Sequence, residues 1–539
     1  MASPSLFFSA PVFLIALLVG CAPGSSERGE PTDHEPGSST DSDDATEPSA
    51  GPAGDDGGRD GSRPDSGRRS DSGAPRDAAV ARADSATQHD AGDAGGSVHD
   101  DDGGTGEFDA GAQVGLPPGV SYLFPPPNGM GLCPDPPLRL RFTGPPTLGS
   151  SGKIQVYDTA GGLVASVDMA TTNITDSLGG TTITLSRQAF VEGNDAIVRL
   201  KNHALAYGKS YYVTVDSGAI KPPGGGTFSI SGATGWRFST RAAPANLTAE
   251  RVALDGSGDF CSVQGALDAL PASNTSRALV TVAPGLYHEV VHMRGKSNVT
   301  IRGEDRKKTI ILGTNNNTMN PSTATRALVG FDSTNGLIVE NLTIHNLTPQ
   351  GGSQAEALRL QGCDKCVVRH ADIVSLQDTL LWSGRIYADD CYVEGNVDYV
   401  WGTGVVYFNA CEFRTVGRTG VLVQSRNAAG AYGYVFVDSK LTADAASTNN
   451  MLARIDASVY PGSHVAFINC EMNNVAAAGW STTGGGSSGL RFWEYQSHDA
   501  AGNPVGTSGR MPGSTRISAA QAATMRDTSA VLNGWTPTR

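Results

Sequence analysis

The sequence predicts an all-β protein: a right-handed parallel β-helix, preceded by a small β-sandwich and a disordered N-terminal linker. Two observations carry this reading. A short signature recurs as Asn341-Leu342-Thr343-Ile344, Asp390-Cys391-Tyr392-Val393, Ala410-Cys411-Glu412-Phe413 and Asn469-Cys470-Glu471-Met472, with looser copies at His370-Ala371-Asp372-Ile373 and Asp438-Ser439-Lys440-Leu441. Successive copies lie 29, 20, 20, 28 and 31 residues apart. A step near 20 with variable insertions is what a solenoid gives, because each coil must stack on its neighbours and extra residues go into loops. The second observation is a change of texture near residues 116 and 242, which divides the 539 residues into segments of different kind.

The first segment, 1–21, has an apolar run from Leu6 to Leu18 and ends in Leu18-Val19-Gly20-Cys21. That run is too short to span a bilayer and suits the core of a signal peptide. The small residues before Cys21 resemble a lipobox, which implies lipidation of that cysteine and export, with Ala22 pointing to the outer membrane. The missing Lys or Arg in residues 1–5 departs from the usual pattern. Membrane contact is expected only through this anchor.

Residues 22–116 are rich in Asp, Gly, Ser, Ala and Pro, with Phe108 as their one aromatic. They hold 22 acidic and 7 basic side chains, a balance of −15 within a chain whose net charge is −14. Such a segment buries too little apolar surface to offset its ordering entropy, and it reads as an acidic tether. The remainder is nearly neutral, so a basic nucleic-acid footprint is absent.

From 117 to 242 short alternating runs are separated by Gly/Pro turns: Leu138–Phe142, Lys153–Tyr157, Thr181–Leu185, Ala196–Leu200, Tyr211–Val215 and Trp236–Thr240. That spacing predicts a β-sandwich. The segment loosely resembles a bacterial Ig-like module, whose role would be a spacer or weak glycan binding.

The last segment, 243–539, begins with Val263–Leu270, where helical spacing of apolar residues predicts a short helix capping the solenoid. Cys391, Cys411 and Cys470 share one slot of the repeat and are expected to stack inward. With Cys21 assigned to lipid, seven of the eight cysteines remain, so at least one is unpaired. Cys363-x-x-Cys366 has no second pair at metal-ligand spacing, which leaves a local disulfide or two buried thiols.

Chemistry concentrates between Gln354 and Gly402. Asp378 and Asp398 stand 20 residues apart, the same step that separates Ile373 from Val393, so they fall in register on successive coils about 4.8 Å apart. Two carboxylates that close cannot both ionise cheaply, which can yield an acid and an anionic nucleophile at one pH. Asp also caps turns in β-helices, so the pair needs its neighbours to be persuasive.

Those neighbours carry a resemblance. Asp255-Gly256-Ser257-Gly258-Asp259-Phe260, Pro284-Gly285-Leu286-Tyr287-His288-Glu289, Gln354-Ala355-Glu356-Ala357-Leu358-Arg359, Gln377-Asp378-Thr379-Leu380, Gly395-Asn396-Val397-Asp398-Tyr399-Val400-Trp401-Gly402 and Gly479-Trp480 follow in the order found in pectin methylesterases. Residues of about 246–500 resemble that pectinesterase family. The resemblance implies hydrolysis of the methyl esters of polygalacturonate (pectin) by a monomer without metal or organic cofactor. Asp398 would be the nucleophile and Asp378 the acid and base. Gln377 and Gln354 would donate to the oxyanion, and Arg454 would pair with Asp398.

The family's Arg-Pro-Trp is replaced here by Arg454-Ile455-Asp456. The sugar-stacking Trp is therefore missing from that position, which leaves Trp382, Tyr399, Trp401 and Trp480 as candidate substrate platforms. Asp456 is expected to orient Arg454 through a salt bridge and to bias the enzyme toward methylated stretches. Other classes compete: an esterase or thioesterase for a non-pectin ester, and a non-catalytic glycan-binding surface protein. Gly485-Gly486-Ser487-Ser488-Gly489 fits a serine-hydrolase motif but has no strand-to-helix elbow around it.

Overall fold

A computed structural model describes residues 115–538 except 246 and 273. The expected signal segment, Cys21 and the linker up to residue 114 lie outside the described residues.

Two sheets form the first folded unit. One runs Val120–Phe124, Leu138–Phe142, Asp195–Val198, Ala189–Glu192; the other runs Gly129–Leu132, Arg237–Thr240, Ser210–Val215, Lys153–Asp158, Leu163–Asp168. All pairings are antiparallel except that of Gly129–Leu132 with Arg237–Thr240. Alternate residues such as Leu140, Phe142, Val156, Val213 and Trp236 fill one shared core, as period-two patterning requires.

The hairpin Asn173–Leu178 with Thr181–Ser186 leaves this sandwich and adds Leu178 and Ile183 to the core of the next unit. Gly179 makes its turn at φ +56°, and a Cβ there would stand 2.3 Å from the His292 carbonyl oxygen. The Asn320 side chain accepts from the Thr184 N–H (2.9 Å) and donates to the Thr184 carbonyl (2.8 Å). A disulfide from Cys133 to Cys261 and the Asp135 carboxylate, which accepts the Cys261 and Ser262 N–H groups (2.8 and 2.9 Å), complete the junction.

From Ala249 onward the strands pair in parallel and wind as a three-faced β-helix. Helix Val263–Ala269, N-capped by Ser262, closes its first end with Val263, Ala266 and Leu267 in the core. The recurrent signature marks one corner of each coil. Asn341, His370, Asp390, Ala410, Asp438 and Asn469 all take φ between +49° and +58°. Asn and Asp tolerate this left-handed conformation better than most residues, which explains their recurrence at the bend. The residue after each corner (Leu342, Ala371, Cys391, Cys411, Ser439, Cys470) is buried. Cys391, Cys411 and Cys470 are buried free thiols, whereas Cys363 and Cys366 form a local disulfide. Two C-terminal helices, Ala519–Arg526 and Thr528–Val531, cover Tyr387, Tyr407, Val435 and Ala466 on the outside of one face.

Another face positions the chemistry. Its register stacks Val329, Leu358, Leu380, Val400, Val423, Ala453 and Trp480 into one row. These residues belong to the core. The next row, Leu381, Trp401, Gln424, Arg454 and Ser481, turns the other way because successive strand residues alternate sides.

Candidate active site

Asp378 and Asp398 sit just before this pair of rows. The bridge of Gln377 with Val397 on one side, and of Leu380 with Val400 on the other, holds the two aspartates in register on successive coils. The Asp378 N–H donates to the Val397 carbonyl (3.0 Å). Both aspartates are left-handed, at φ +66° and +47°, and both are buried.

Their partners differ. Asp398 Oδ2 accepts from Arg454 Nη2 at 2.5 Å and from Gln424 Nε2 at 3.3 Å. Gln424 is aimed by Arg426, whose Nη2 and Nε donate to Gln424 Oε1 (2.5 and 3.0 Å), leaving the amide nitrogen to face Asp398. Arg426 in turn lies over Trp401, 4.5 Å from the ring centroid. Asp378 Oδ2 accepts from Arg326 Nη2 (2.9 Å), and Arg326 is chelated by Glu356 one coil earlier. Burial, reinforced by the charge of Glu356 and then of Asp398, pushes the Asp378 carboxyl well above the usual carboxylate range, against the pull of Arg326 and Arg426.

The predicted residues are distributed as follows. Asp378, Asp398 and Arg454 converge. Gln354 and Gln377 are half-buried on adjoining coils, joined through the Ala355 N–H to the Gln377 carbonyl (3.1 Å). The Gln354 side-chain oxygen accepts from Ser353 Oγ (3.2 Å), which leaves its NH₂ as the free donor end. Trp401 is also buried, with the guanidinium groups of Arg426 and Arg326 4.5 and 5.7 Å from its ring centroid.

Trp382, Tyr399 and Trp480 are corrections. Trp382 is fully buried and stacks on Phe408 at 5.5 Å. Trp480 stacks on Phe492 at 4.6 Å, with its Nε1 bonded to Glu494 Oε1. The Tyr399 ring is buried and its hydroxyl bonds Thr415 Oγ1 (3.1 Å). All three belong to the coil interior, so a sugar ring cannot lie on them in this conformation. Asp456 is a fourth correction. It is half-buried, and its Oδ1 accepts from Ser458 N–H (3.0 Å) and Ser458 Oγ (2.5 Å), while among the described residues the carboxylate partner of Arg454 is Asp398.

Sequence reasoning missed Arg326, Glu356, Gln424 and Arg426. Glu356 was within reach, since it lies 22 residues before Asp378 in a ladder that pairs Leu358 with Leu380.

The parallel β-helix thus presents one buried carboxyl whose pKa burial raises beside a second that is bonded to a guanidinium. The chain belongs to the pectinesterase family: the family's model, described as Pectinesterase, matches residues 249–532. Pectinesterase 31 of Arabidopsis thaliana is 31% identical over 216 residues, 38% of this chain and 68% of that protein. Pectinesterase 1 of Olea europaea is 33% identical over 279 residues, 48% of this chain and 74% of that one. The solved structure of a pectin methylesterase from carrot, 25% identical, covers 55% of this chain and 95% of that chain with a TM-score of 0.48.

Proposed function

We propose that this protein is a pectin methylesterase, a carboxylic-ester hydrolase that releases methanol from methylated polygalacturonate. Asp398 attacks the C6 ester carbonyl to form an acyl-enzyme. Asp378 gives its proton to the departing methanol and later takes one from the incoming water, which regenerates both carboxyl groups. The amide groups of Gln354 and Gln377 donate to the oxyanion, and Trp401 offers the aromatic edge of the cleft. Family membership supports the activity. The observation that supports the division of labour is the unequal environment of the two carboxyls, one held above its usual range and one in a charge-assisted bond to Arg454.

Rate should fall as pH rises through the raised pKa of Asp378, because the acid form is then lost. Asp456, half-buried two residues beyond Arg454, disfavours anionic sugars, so turnover is greatest on highly methylated stretches. In this reading the enzyme is exported and held at the cell surface by a lipid on Cys21, and its two disulfides suit such an oxidising setting. No helix among the described residues is long and apolar enough to cross a membrane. Methanol release from pectins of graded methylation by the full chain tests the activity. A chain that releases none from any of them, while folded, would overturn it.

A further inference from the structure

We propose that Arg326 and Glu356 form a positioning couple that sets how firmly Asp378 holds its proton. Arg326 and Glu356 are both buried. Arg326 Nε donates to both Glu356 oxygens at 3.0 Å. Its Nη2 is shared, donating to Glu356 Oε1 at 2.7 Å and to Asp378 Oδ2 at 2.9 Å. Nη1 reaches Asn317 Oδ1 at 3.3 Å, and the guanidinium carbon lies 5.7 Å from the Trp401 ring centroid.

A buried ion pair stabilises a fold little better than two apolar side chains would, so stability alone is a weak reason for this one. Its geometry suggests another role. A lone guanidinium against a buried carboxylate would hold that carboxylate ionised and leave it a poor acid. Here most of the guanidinium's charge is met by Glu356, and Asp378 receives one remaining hydrogen bond. The bond orients Asp378 without discharging it. The charged groups that bear on Asp378 are Glu356, Arg326, Asp398 and Arg426, with Arg454 acting through Asp398.

This inference rests on the acid role given to Asp378 above, and the two can fail separately. The test is the pH profile of kcat/KM for methanol release by the full chain, with folding checked by circular dichroism. Glu356→Gln strips Arg326 of its counter-charge, so the alkaline limb should move toward acid by about one pH unit. Arg326→Gln removes the pull on Asp378, so the limb should move the opposite way. The double variant should return close to wild type. Where Arg326→Gln does not fold, Arg326→Lys takes its place and should shift in the same direction by less.

Mere structural damage lowers kcat without moving the limb in opposite senses. A folded Glu356→Gln with an unmoved limb, or both single variants shifting the same way, would overturn the couple. Asp378→Asn retaining full methanol release would instead overturn the acid role itself.

Discussion

Two columns of left-handed aspartates run along this solenoid, and they share a backbone conformation while differing in almost everything else. Asp390 and Asp438 stand in the corner column at φ +49° and +50°; Asp378 and Asp398 stand in the cleft at +66° and +47°. The corner carboxylates are open to water, with the Asp390 side chain 57% exposed against 12% for Asp378. Asp390 meets His370 Nδ1 (2.9 Å) and Arg306 (3.2 Å), and Asp438 meets Arg526 (2.8 Å). Arg526 holds the Asp438 carboxyl below its usual range, whereas burial drives that of Asp378 above it. Register and a left-handed Asp therefore make a coil corner in one column and a buried carboxyl pair in the other. Desolvation and the number of competing charges make the difference.

The sharpest way to break that contrast is a matched pair of substitutions. Asp398→Ala should lower kcat by on the order of 10⁴-fold or more, as loss of a nucleophile does. Asp390→Ala should leave methanol release within about twofold, since exposed ion pairs contribute only ~0–1 kcal/mol. Comparable losses from both would erase the distinction between the columns.

Next in size is Arg454→Met, which removes the guanidinium from Asp398. A hydrogen bond to a charged group contributes about 1.5–3 kcal/mol, so kcat/KM should fall roughly 10- to 150-fold. A kcat/KM within about twofold of wild type in this variant would contradict a functional pairing of Arg454 with Asp398.

Smaller still is a change in the corner column itself. Ala410 is exposed and left-handed at φ +50°, the one corner of the six without a polar or ring side chain. Ala410→Asn should raise the denaturation midpoint, equivalent to up to about 1 kcal/mol, because Asn visits this conformation at lower cost. Activity should not change.

The smallest effect belongs to Asp438→Asn. A carboxyl whose folded pKa is lowered contributes stability above its unfolded pKa and loses it as pH falls through the folded value. Wild type should therefore exceed the variant by a few tenths of a kcal/mol at pH 7, after allowance for solvent screening, and match it in strong acid. Thermal melts at two pH values would show the difference or its absence.

The corner column was readable from the chain because Asn and Asp announce left-handed bends, and the step between Asp378 and Asp398 was readable because no insertion separates their coils. Arg326 was hidden by its position just before strand Val329–Asp332, at the end of a loop with no repeat to align it. Glu356 was quoted for its motif but passed over as a partner. The aromatic platforms went wrong for a simple reason. Sequence alone showed large rings near the aspartates, but the side on which each strand residue emerges was set by register across five coils. Trp382 follows Leu360 inward, and Trp480 follows Ala453.

The bridge between Cys133 and Cys261 closes a stretch of 128 residues that includes nearly the whole sandwich. A protease that nicks any turn inside this loop cannot shed the module, because the two fragments stay covalently joined. Only a reductant working with the protease would separate them. The chain would thus keep this module after a single cut within the loop.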